Sequence, residues 1–439
     1  MSNAVQYTDM KDSGIKWIGS VPASWNVRTL YQLATRVNNK NSDLTEQNLL
    51  SLSYGKIKRK DINTNDGLLP ASFDGYNVIE AGDIVLRLTD LQNDHTSLRV
   101  GQATERGIIT SAYTTLRPIN PAHSRYLYYL IHAFDLKKGF YGMGSGVRQG
   151  LNYDEVKELR VVLPSQKEQD AIVAYLDDVC VQIDTLIQEA KGTISEYKQW
   201  KESLIFYTLT HGLDSTVSLK DSGINWIGRI PESSSIVRMR YLVDGYKAGP
   251  FGSSLITDKL DSSGTILVYT PEHIAKQSVE NEKNLYLPEE RREQMSQFFV
   301  QKGDIIFPIV GSLGRAMLIT EDMPEGIINQ RLAKFRIKED VIDMDFFLWF
   351  FAKSSFYNQF IEVNCRGSFI LNLTKTIIYD MPVVLPGSIE TQREIAEYLN
   401  RRCSTIDSLI KEKETLLDDL ELYKRSLIYE TVTGKRKVV

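Results

Sequence analysis

A twelve-residue stretch that occurs twice decides the fold of this chain. Residues 11–22 read KDSGIKWIGSVP and residues 220–231 read KDSGINWIGRIP, with nine of the twelve positions identical at an offset of 209. A repeat at this spacing indicates two related structural units in one chain. The middle parts of the two units are dissimilar in sequence, so we expect units that are alike at their edges and different inside.

A second repeat follows each unit and has the pattern of a long helix. Two segments of about 45 residues follow Leu163-Pro164 and Leu385-Pro386, and they align at an offset of 223. Apolar side chains recur in both at heptad spacing, which is typical of helices that pack on a partner helix. The predicted helix–helix packing positions are Leu176, Ile183, Leu186, Tyr197, Trp200, Leu204, Leu399, Ile406, Leu409, Leu416, Leu420, Tyr423 and Leu427.

Each long helix needs a partner, and the simplest partner is the other copy. A helix of about 45 residues is about 65 Å long, and a narrow apolar stripe of that length exceeds what one small domain can cover. Two equivalent units can pack with pseudo-twofold symmetry, as a homodimer does. We therefore expect an antiparallel coiled coil with one globular unit at each end. The alternative is that both are ordinary core helices of one larger domain.

The regions outside the long helices alternate short β-like runs with amphipathic helices. GDIVLRL (82–88) and GDIIFPIV (303–310) are predicted to be equivalent strands after a Gly-Asp turn. Residues 124–136 and 343–362 are predicted helices. The fold class is therefore α+β. The predicted boundaries are 1–164 for the first globular unit, 165–213 for the first long helix, 214–384 for the second globular unit and 385–439 for the second long helix.

Composition excludes several classes of protein. The chain has 439 residues, 42% of them hydrophobic, which is enough to bury cores and excludes wholesale disorder. No apolar run reaches about 18 residues, so we expect no membrane-spanning helix and no membrane partner. The N-terminus is polar and there are only three Cys, which favours a reducing cytoplasm. The formal net charge of −4 argues at first against a nucleic-acid partner.

Motifs for catalysis or metal binding are missing from the sequence. There is no HExxH pair, no GxxxxGK[ST] loop and no GxSxG elbow. Residues 140–144, FYGMG, fit the F-x-G-x-G pattern of methyltransferases. The run before them is predicted to be helical, however, and the companion N/D-P-P-F/Y motif is absent. We therefore predict no catalytic residue, no metal site and no cofactor in this chain.

The remaining polar features are basic and amide side chains in predicted loops of both units. Arg, Asn and Gln can pair with base edges, and Lys suits phosphates. Each of these residues alone is more typical of a solvated surface, and the prediction rests on the same kinds of loops occurring in both units. The predicted DNA-binding residues are Lys56, Lys58, Arg59, Arg87, Arg99, Arg148, Gln149, Lys247, Ser253, Ser254, Arg315, Gln330, Arg331 and Arg366.

Taken together, these motifs make the chain resemble the specificity (S) subunits of type I restriction-modification systems. The resemblance covers essentially the whole chain. Its carriers are D-S-G-I-x-W-I-G-x-x-P at 12–22 and 221–231, G-D-I at 82 and 303, the LP…YL…ID segments at 163–187 and 385–410, and the stretches 82–94, 105–113, 249–255 and 310–319.

The resemblance implies a non-catalytic subunit in a system of phage defence. It implies two target recognition domains, each reading one half of a bipartite site in double-stranded DNA, and two helices that set the spacer. The implied partners are two methyltransferase (M) subunits and restriction (R) subunits. S-adenosylmethionine is then expected in the methyltransferase subunits, and ATP and Mg²⁺ in the restriction subunits.

Two other functions remain as alternatives at this stage: a stand-alone DNA adenine methyltransferase and a coiled-coil adaptor without DNA specificity. The charge does not argue against DNA once it is divided along the chain. Residues 1–164 carry a net +3, residues 165–213 carry −4, residues 214–384 carry −3 and residues 385–439 carry 0. Much of the acidity lies in a helix expected to face protein, so we expect weak DNA binding by the chain alone.

Overall fold

A computed structural model describes residues 6–63, 70–91, 94, 96–143, 150–250, 264–280, 284–311, 313–353, 356–364 and 373–438. The chain divides into two compact units. The first unit comprises Met1–Lys191 and Glu414–Val439, and the second comprises Gly192–Lys413. Both long helices therefore contribute one part to each unit.

The first unit is built on a four-stranded antiparallel sheet covered by a helix. Its strands are β1 Met10–Asp12, β2 Ser20–Pro22, β3 Asn26–Thr29, β4 Ala34–Arg36, β5 Leu50–Ser53, β6 Lys56–Arg59, β7 Asn77–Ile79, β8 Ile84–Leu86, β9 Val100–Gln102, β10 Gly107–Ile109, β11 Thr114–Pro118 and β12 Arg160–Leu163. Its short helices are α1 Ser124–Leu136 and α2 Tyr153–Lys157. The main sheet has the order β4-β11-β8-β9, and α1 packs against β9 and β11.

The first long helix, α3, spans Gln166–His211, and the second unit follows it. The strands of this unit are β13 Leu219–Asp221, β14 Arg229–Pro231, β15 Ser235–Arg238, β16 Val243–Ala248, β17 Ile266–Tyr269, β18 Tyr286–Leu287, β19 Ile305–Pro308, β20 Met317–Leu318, β21 Gly326–Ile328, β22 Leu332–Ile337 and β23 Pro382–Leu385. Its helices are α4 Pro271–Lys276, α5 Arg292–Met295, α6 Met344–Phe351, α7 Phe356–Asn364, α8 Lys375–Asp380 and the second long helix, α9, Ile389–Val432.

The two units share a frame and differ inside it. The second unit has the sheet β16-β22-β19-β20, which matches the order β4-β11-β8-β9 of the first. Each unit also has an opening hairpin, β1-β2 or β13-β14, and a closing pair, β3-β12 or β15-β23. Inside the frame, the first unit holds the pairs β5-β6 and β7-β10, whereas the second holds β18-β17-β21 with a parallel pair. The shared frame explains why the two sequences agree in the segments at the start and end of each unit and differ between them.

The G-D-I motif forms the same turn in both frames. Gly82 and Gly303 have positive φ angles of 93° and 84°, which glycine adopts without strain. The next residue, Asp83 or Asp304, is buried and accepts a hydrogen bond from the backbone N–H three residues earlier. Asp83 also pairs with Arg117 at 2.6 Å. The motif thus joins the start of the central strand to its neighbour.

In the second unit the equivalent carboxylate has two cationic partners. Asp304 pairs with Lys334 at 2.8 Å and with Arg336 at 2.5 Å, both on β22. A buried carboxylate needs such partners because burial of an unpaired charge is costly.

The duplicated segment anchors the end of a long helix in each unit. In the first unit Tyr429 Oη near the end of α9 donates to Trp17 O at 2.8 Å, and Lys435 Nζ donates to Ile18 O at 2.6 Å. In the second unit Ile227 and Ile230 share a core with Ile205 and Leu209 near the end of α3. The repeated stretch is therefore a seat for a helix end, which is why its Trp and Ile positions recur.

The long helices contact each other inside each unit and run antiparallel there. In the first unit Asp184 of α3 pairs with Lys424 of α9 at 2.6 Å. In the second unit Lys201 of α3 pairs with Asp407 of α9 at 2.6 Å. The α+β fold with two long helices that the sequence predicts is confirmed.

The predicted packing register is wrong at four of the thirteen positions. Of the predicted set, Leu176, Ile183, Leu399, Ile406 and Leu427 are buried, and Tyr197, Leu204, Leu409 and Leu420 are half-buried. The side chains of Leu186, Trp200, Leu416 and Tyr423 are exposed instead. Buried positions on the start of α3 and of α9 follow a four-four-three-four spacing, at 172, 176, 180, 183 and 187 and at 395, 399, 403, 406 and 410. These buried side chains face the core of a globular unit. Contact with that core buries the residue four positions after 176, 183, 399 and 406, whereas the prediction placed the residue three positions after them in the contact.

A second correction concerns the predicted helix 343–362. It is two helices, α6 and α7, that pack on each other. The aromatic side chains Phe347 and Trp349 of this region are buried in the core of the second unit. No helix in the described part of the chain is long and apolar enough to cross a membrane.

His132 makes the first unit sensitive to acid. This α1 side chain is buried, its ring stacks on Tyr128 with centroids 5.5 Å apart, and its Nδ1 atom has no hydrogen-bond partner. Burial lowers the pKa of His132 to about 4, and the charges of Lys424 and Arg125 add to this effect. An unfolded His has a pKa of about 6.5. The folded state therefore binds fewer protons between these values, so stability falls as the pH drops from 6.5 towards 4.

We expect His132→Phe to remove this acid sensitivity, since Phe keeps the ring contact and cannot take up a proton. From pH 7 to pH 4 the wild type should lose about 3 kcal/mol more of unfolding free energy than the variant does. Urea unfolding monitored by hydrogen exchange in α1 at both pH values measures the difference. Equal losses in the two proteins would contradict the assignment.

Candidate nucleic-acid interface

One edge of the main sheet in the second unit gathers several of the predicted DNA-binding residues. Because β22 is antiparallel to both β16 and β19, the ends of β16 and β19 meet the start of β22 at the same edge. The start of β20 joins them there. Lys247, Arg315, Gln330 and Arg331 all belong to these strand ends. We call these four residues the second-unit edge.

Close backbone approaches hold the loops of this edge in place. Gly249 N–H donates to Leu332 O at 2.8 Å. A Cβ atom at Gly249 would lie 1.9 Å from Asn329 O, so only glycine fits there. The Asn329 side chain accepts a hydrogen bond from Arg331 N–H at 3.0 Å and fixes the start of β22.

The cationic side chains of this edge differ in how firmly they are held. Arg315 is exposed, and its Nη1 donates to Ala275 O at 3.1 Å. Lys247 is half-buried, bonded to Gln297 and positioned over the Phe298 ring. Gln330 and Arg331 are exposed. The pKa of the neighbouring Glu272 is lowered, first by a hydrogen bond from Thr270 and further by the charge of Arg331.

The corresponding edge of the first unit contains the turn after β8. Arg87 is half-buried in this turn and lies 3.5 Å from the Asp94 carboxylate. A hydrogen bond from Ser97 N–H to Asp94 is the main reason that the pKa of Asp94 is held well below its usual range. Leu151 N–H donates to Leu88 O at 2.9 Å, so the chain beyond α1 returns to this turn. The first-unit edge is thus an ordered turn with one partly exposed arginine.

The prediction that Arg99 contacts DNA is wrong. Its side chain is completely buried, and its guanidinium donates to four backbone carbonyl groups and to the Tyr141 hydroxyl. The sequence offered no sign of this, because a basic residue between two polar loops is usually exposed.

The basic residues of the β5-β6 hairpin have surroundings of their own. Arg59 is exposed but bonded through Nε and Nη2 to Glu105, beyond the other end of β9. Lys56 lines a cavity of about 400 Å³ with Arg125, Asp177 and Lys424. Lys58 is exposed on the strand between them.

The remaining predicted residues lie outside the described part of the chain. These are Arg148, Gln149, Ser253, Ser254 and Arg366. They stay predictions. Among the described residues, no group of His, Cys, Asp and Glu side chains could hold a metal ion.

Sequence reasoning missed Tyr54, an exposed aromatic residue at the tip of the β5-β6 hairpin. Its side chain is 77% exposed and its φ angle is 47°, an uncommon value for a bulky residue. The signal was available in SLSYGKIK, where Tyr-Gly separates two β-like runs.

Comparison with known proteins identifies the family. A model described as the type I restriction modification DNA specificity domain matches residues 251–418. The chain is 23% identical over 402 residues to the type I restriction enzyme MjaVIII specificity subunit of Methanocaldococcus jannaschii, which covers 89% of this chain and 84% of that protein. It is also 23% identical to the putative type I restriction enzyme MjaX specificity subunit of the same organism, with 96% of each chain covered.

This chain belongs to the specificity subunits of type I restriction-modification systems. Such subunits are DNA-recognition components without catalytic activity, so this specificity subunit is not an enzyme.

Solved structures agree on the fold. A chain from a structure on complex assembly and conformational transition of the type I R-M system matches with a TM-score of 0.70, 14% identity and coverage of 94% of this chain and 98% of that one. The HsdS subunit from Thermoanaerobacter tengcongensis matches with a TM-score of 0.50, at the same identity and coverage.

We expect Gly249→Ala to disturb the second-unit edge selectively. The added methyl group would collide with Asn329 O, so residues 329–331 must shift. Sequence-selective DNA retention by the assembled complex should fall about tenfold or more at one half-site. Competition binding with altered half-sites measures this.

Gly192→Ala in α3 is the matched control. A Cβ atom there meets no atom within 4 Å, and alanine should strengthen the helix by up to about 1 kcal/mol. Unchanged selectivity in Gly249→Ala would argue against a DNA-facing role for this edge.

Proposed function

We propose that this specificity subunit reads a bipartite site in double-stranded DNA, with one half-site for each recognition domain. We also propose that the long helices set the spacer between the half-sites and dock two methyltransferase subunits. The observation that carries the proposal is the duplicated frame. Two units with one strand order present different loops at the same sheet edge.

The side chains at the two sheet edges support the proposal that each unit recognises DNA bases. The second-unit edge combines exposed Arg315 and Arg331 with exposed Gln330. Arginine pairs with guanine and glutamine with adenine through two hydrogen bonds each, so this set can discriminate bases. The first-unit edge offers Arg87 on a different turn, which fits a different half-site.

Exposed apolar side chains on the long helices support docking of partner subunits. In the first unit these are Val181 and Leu186 on α3 and Leu416, Leu422 and Tyr423 on α9. In the second unit they are Trp200 and Tyr207 on α3. Trp200 also carries Arg402 of α9 over its ring at 5.9 Å. Apolar side chains in such numbers on long helices indicate surfaces that another protein covers.

We propose that catalysis in the complex belongs to the partners. S-adenosylmethionine would bind in the methyltransferase subunits, and ATP and Mg²⁺ would act in the restriction subunits. Cytoplasmic DNA is the proposed substrate. Sequencing of methylated bases in a host that carries this chain with its methyltransferase tests the bipartite reading directly.

The spacer should follow the length of the long helices. Duplicating one heptad in α3 and one in α9, at residues 189–195 and 412–418, adds about 10 Å. This corresponds to about three base pairs at 3.4 Å each. Methylome sequencing should show a longer spacer between two unchanged half-sites.

The matched control for this experiment inserts five residues in place of seven. Five residues add about 8 Å but rotate the buried stripe by about 140° away from its partners, so assembly should weaken. Methylation at sites with the original spacer, by the complex that contains the heptad variant, would contradict the proposal that helix length sets the spacer.

Arg315→Ala should relax one half-site only. Loss of a base contact should reduce discrimination there by about 1–3 kcal/mol, or roughly tenfold to a hundredfold, while the other half-site stays the same. Binding selection from a library with randomised half-sites measures both preferences together.

Lys302→Ala is a matched control for Arg315→Ala. Lys302 is also exposed and basic, but it lies at the start of β19, at the opposite edge of the sheet, and pairs with Glu321. An equal loss for all sequences in Arg315→Ala would identify Arg315 as a phosphate contact.

A further inference from the structure

The guanidinium of Arg99 donates hydrogen bonds to the backbone carbonyl groups of a neighbouring turn. The turn consists of residues 87–94, of which 87–91 and 94 are described. Arg99 Nη1 donates to Arg87 O at 3.2 Å and to Thr89 O at 2.7 Å, and Nη2 donates to Asp90 O at 3.1 Å and to Asp94 O at 2.5 Å. The fifth N–H group, on Nε, donates to Tyr141 Oη at 3.0 Å.

All five N–H donors of the guanidinium are therefore used, and four of them bind the backbone of one turn. An arginine has five donors in a rigid plane, whereas a lysine has three on a single nitrogen. No other side chain can bind these carbonyl groups together. Asp90 in this turn has a φ angle of 58°, so the backbone is held in a conformation that it seldom takes without support.

Two further contacts fix the arginine and the far end of the turn. Arg99 N–H donates to the Asp135 carboxylate of α1 at 2.6 Å, and the guanidinium lies over the Tyr141 ring at 5.0 Å. The Tyr141 hydroxyl in turn donates to Asp94 O at 2.8 Å. Burial raises the pKa of Asp135 to about 6, against the effect of the bond from Arg99 N–H.

We infer that Arg99 is a positioning residue for DNA recognition: it holds the described residues of the turn, 87–91 and 94, in the arrangement that presents Arg87 and Asp94 to the DNA. The inference rests on the proposed function, in which the first-unit edge reads one half-site. Arg99 itself touches no DNA, because its side chain is completely buried. Its effect on base preference acts through the turn.

The experiment uses the assembled complex of this chain with its methyltransferase subunits. Binding selection from a library with both half-sites randomised gives the base preference of each half-site and the spacer. Arg99→Lys should broaden one half-site with about a tenfold loss of discrimination, the scale of one good base contact, while the other half-site and the spacer stay unchanged. Tyr141→Phe removes one hydroxyl from the network and should produce a smaller broadening of the same half-site.

Arg117→Lys is the matched control. Arg117 is also a structural arginine of the main sheet, but it binds Asp83 at the opposite edge from the turn. It should leave both base preferences unchanged even where it lowers thermal stability. A merely structural Arg99 predicts instead that Arg99→Lys and Arg117→Lys lose binding to all sequences alike.

Unchanged base preference in Arg99→Lys would overturn the inference, and so would equal broadening in Arg117→Lys. If Arg99→Lys does not assemble, Tyr141→Phe decides alone, and its wild-type preference would overturn the inference. Failure of the proposed function looks different, because the wild-type complex would then select no bipartite site.

Discussion

The structure depends on one constraint: each globular unit is closed by the end of a long helix that begins next to the other unit. In the first unit the end of α9 is bonded through Tyr429 and Lys435 to the first copy of the duplicated segment. In the second unit the end of α3 packs on the second copy, through Ile227 and Ile230. Neither core is complete without residues more than 150 positions away in the sequence. Each long helix is thus part of both folds, and each unit has its own core to which both helices contribute.

This arrangement separates what is held constant from what can vary. The frame of each unit consists of the opening hairpin, the closing strand pair, the four-stranded sheet and the buried Asp83 or Asp304. The loops at the sheet edge and the inner strands differ between the units while the frame stays the same. Each sheet edge is held in place differently. In the first unit Arg99 uses all its guanidinium N–H donors in hydrogen bonds, and in the second unit Gly249 approaches Asn329 closely. The loops at the sheet edge can therefore change without altering the contact between the duplicated segment and the end of the long helix.

The sequence predicted the frame well and the edges poorly, for physical reasons. The repeat, the G-D-I turns and the heptad spacing depend on local chemistry that a sequence displays directly. The helix register failed because Leu186 and Ile187 are both apolar, and only the surface they meet decides which is buried. The prediction for Arg99 was wrong because its partners are backbone carbonyl groups. Every residue has one, so the sequence does not show which of them a side chain will bind. Tyr54 was missed although the Tyr-Gly pair signals a turn, because the sequence does not show whether the side chain at that turn is exposed.

The charge of the chain takes on a more definite meaning once its ion pairs are known. Lys334 and Arg336 pair with Asp304, Arg117 pairs with Asp83 and Arg59 pairs with Glu105, so each of these cations has a carboxylate partner within the chain. What remains at the second-unit edge is a small set of exposed side chains around Arg315 and Arg331. Affinity for the phosphate backbone rises with the number of free cations, whereas base discrimination needs only a few well-placed donors. A chain with these properties is suited to base discrimination more than to tight binding of the phosphate backbone.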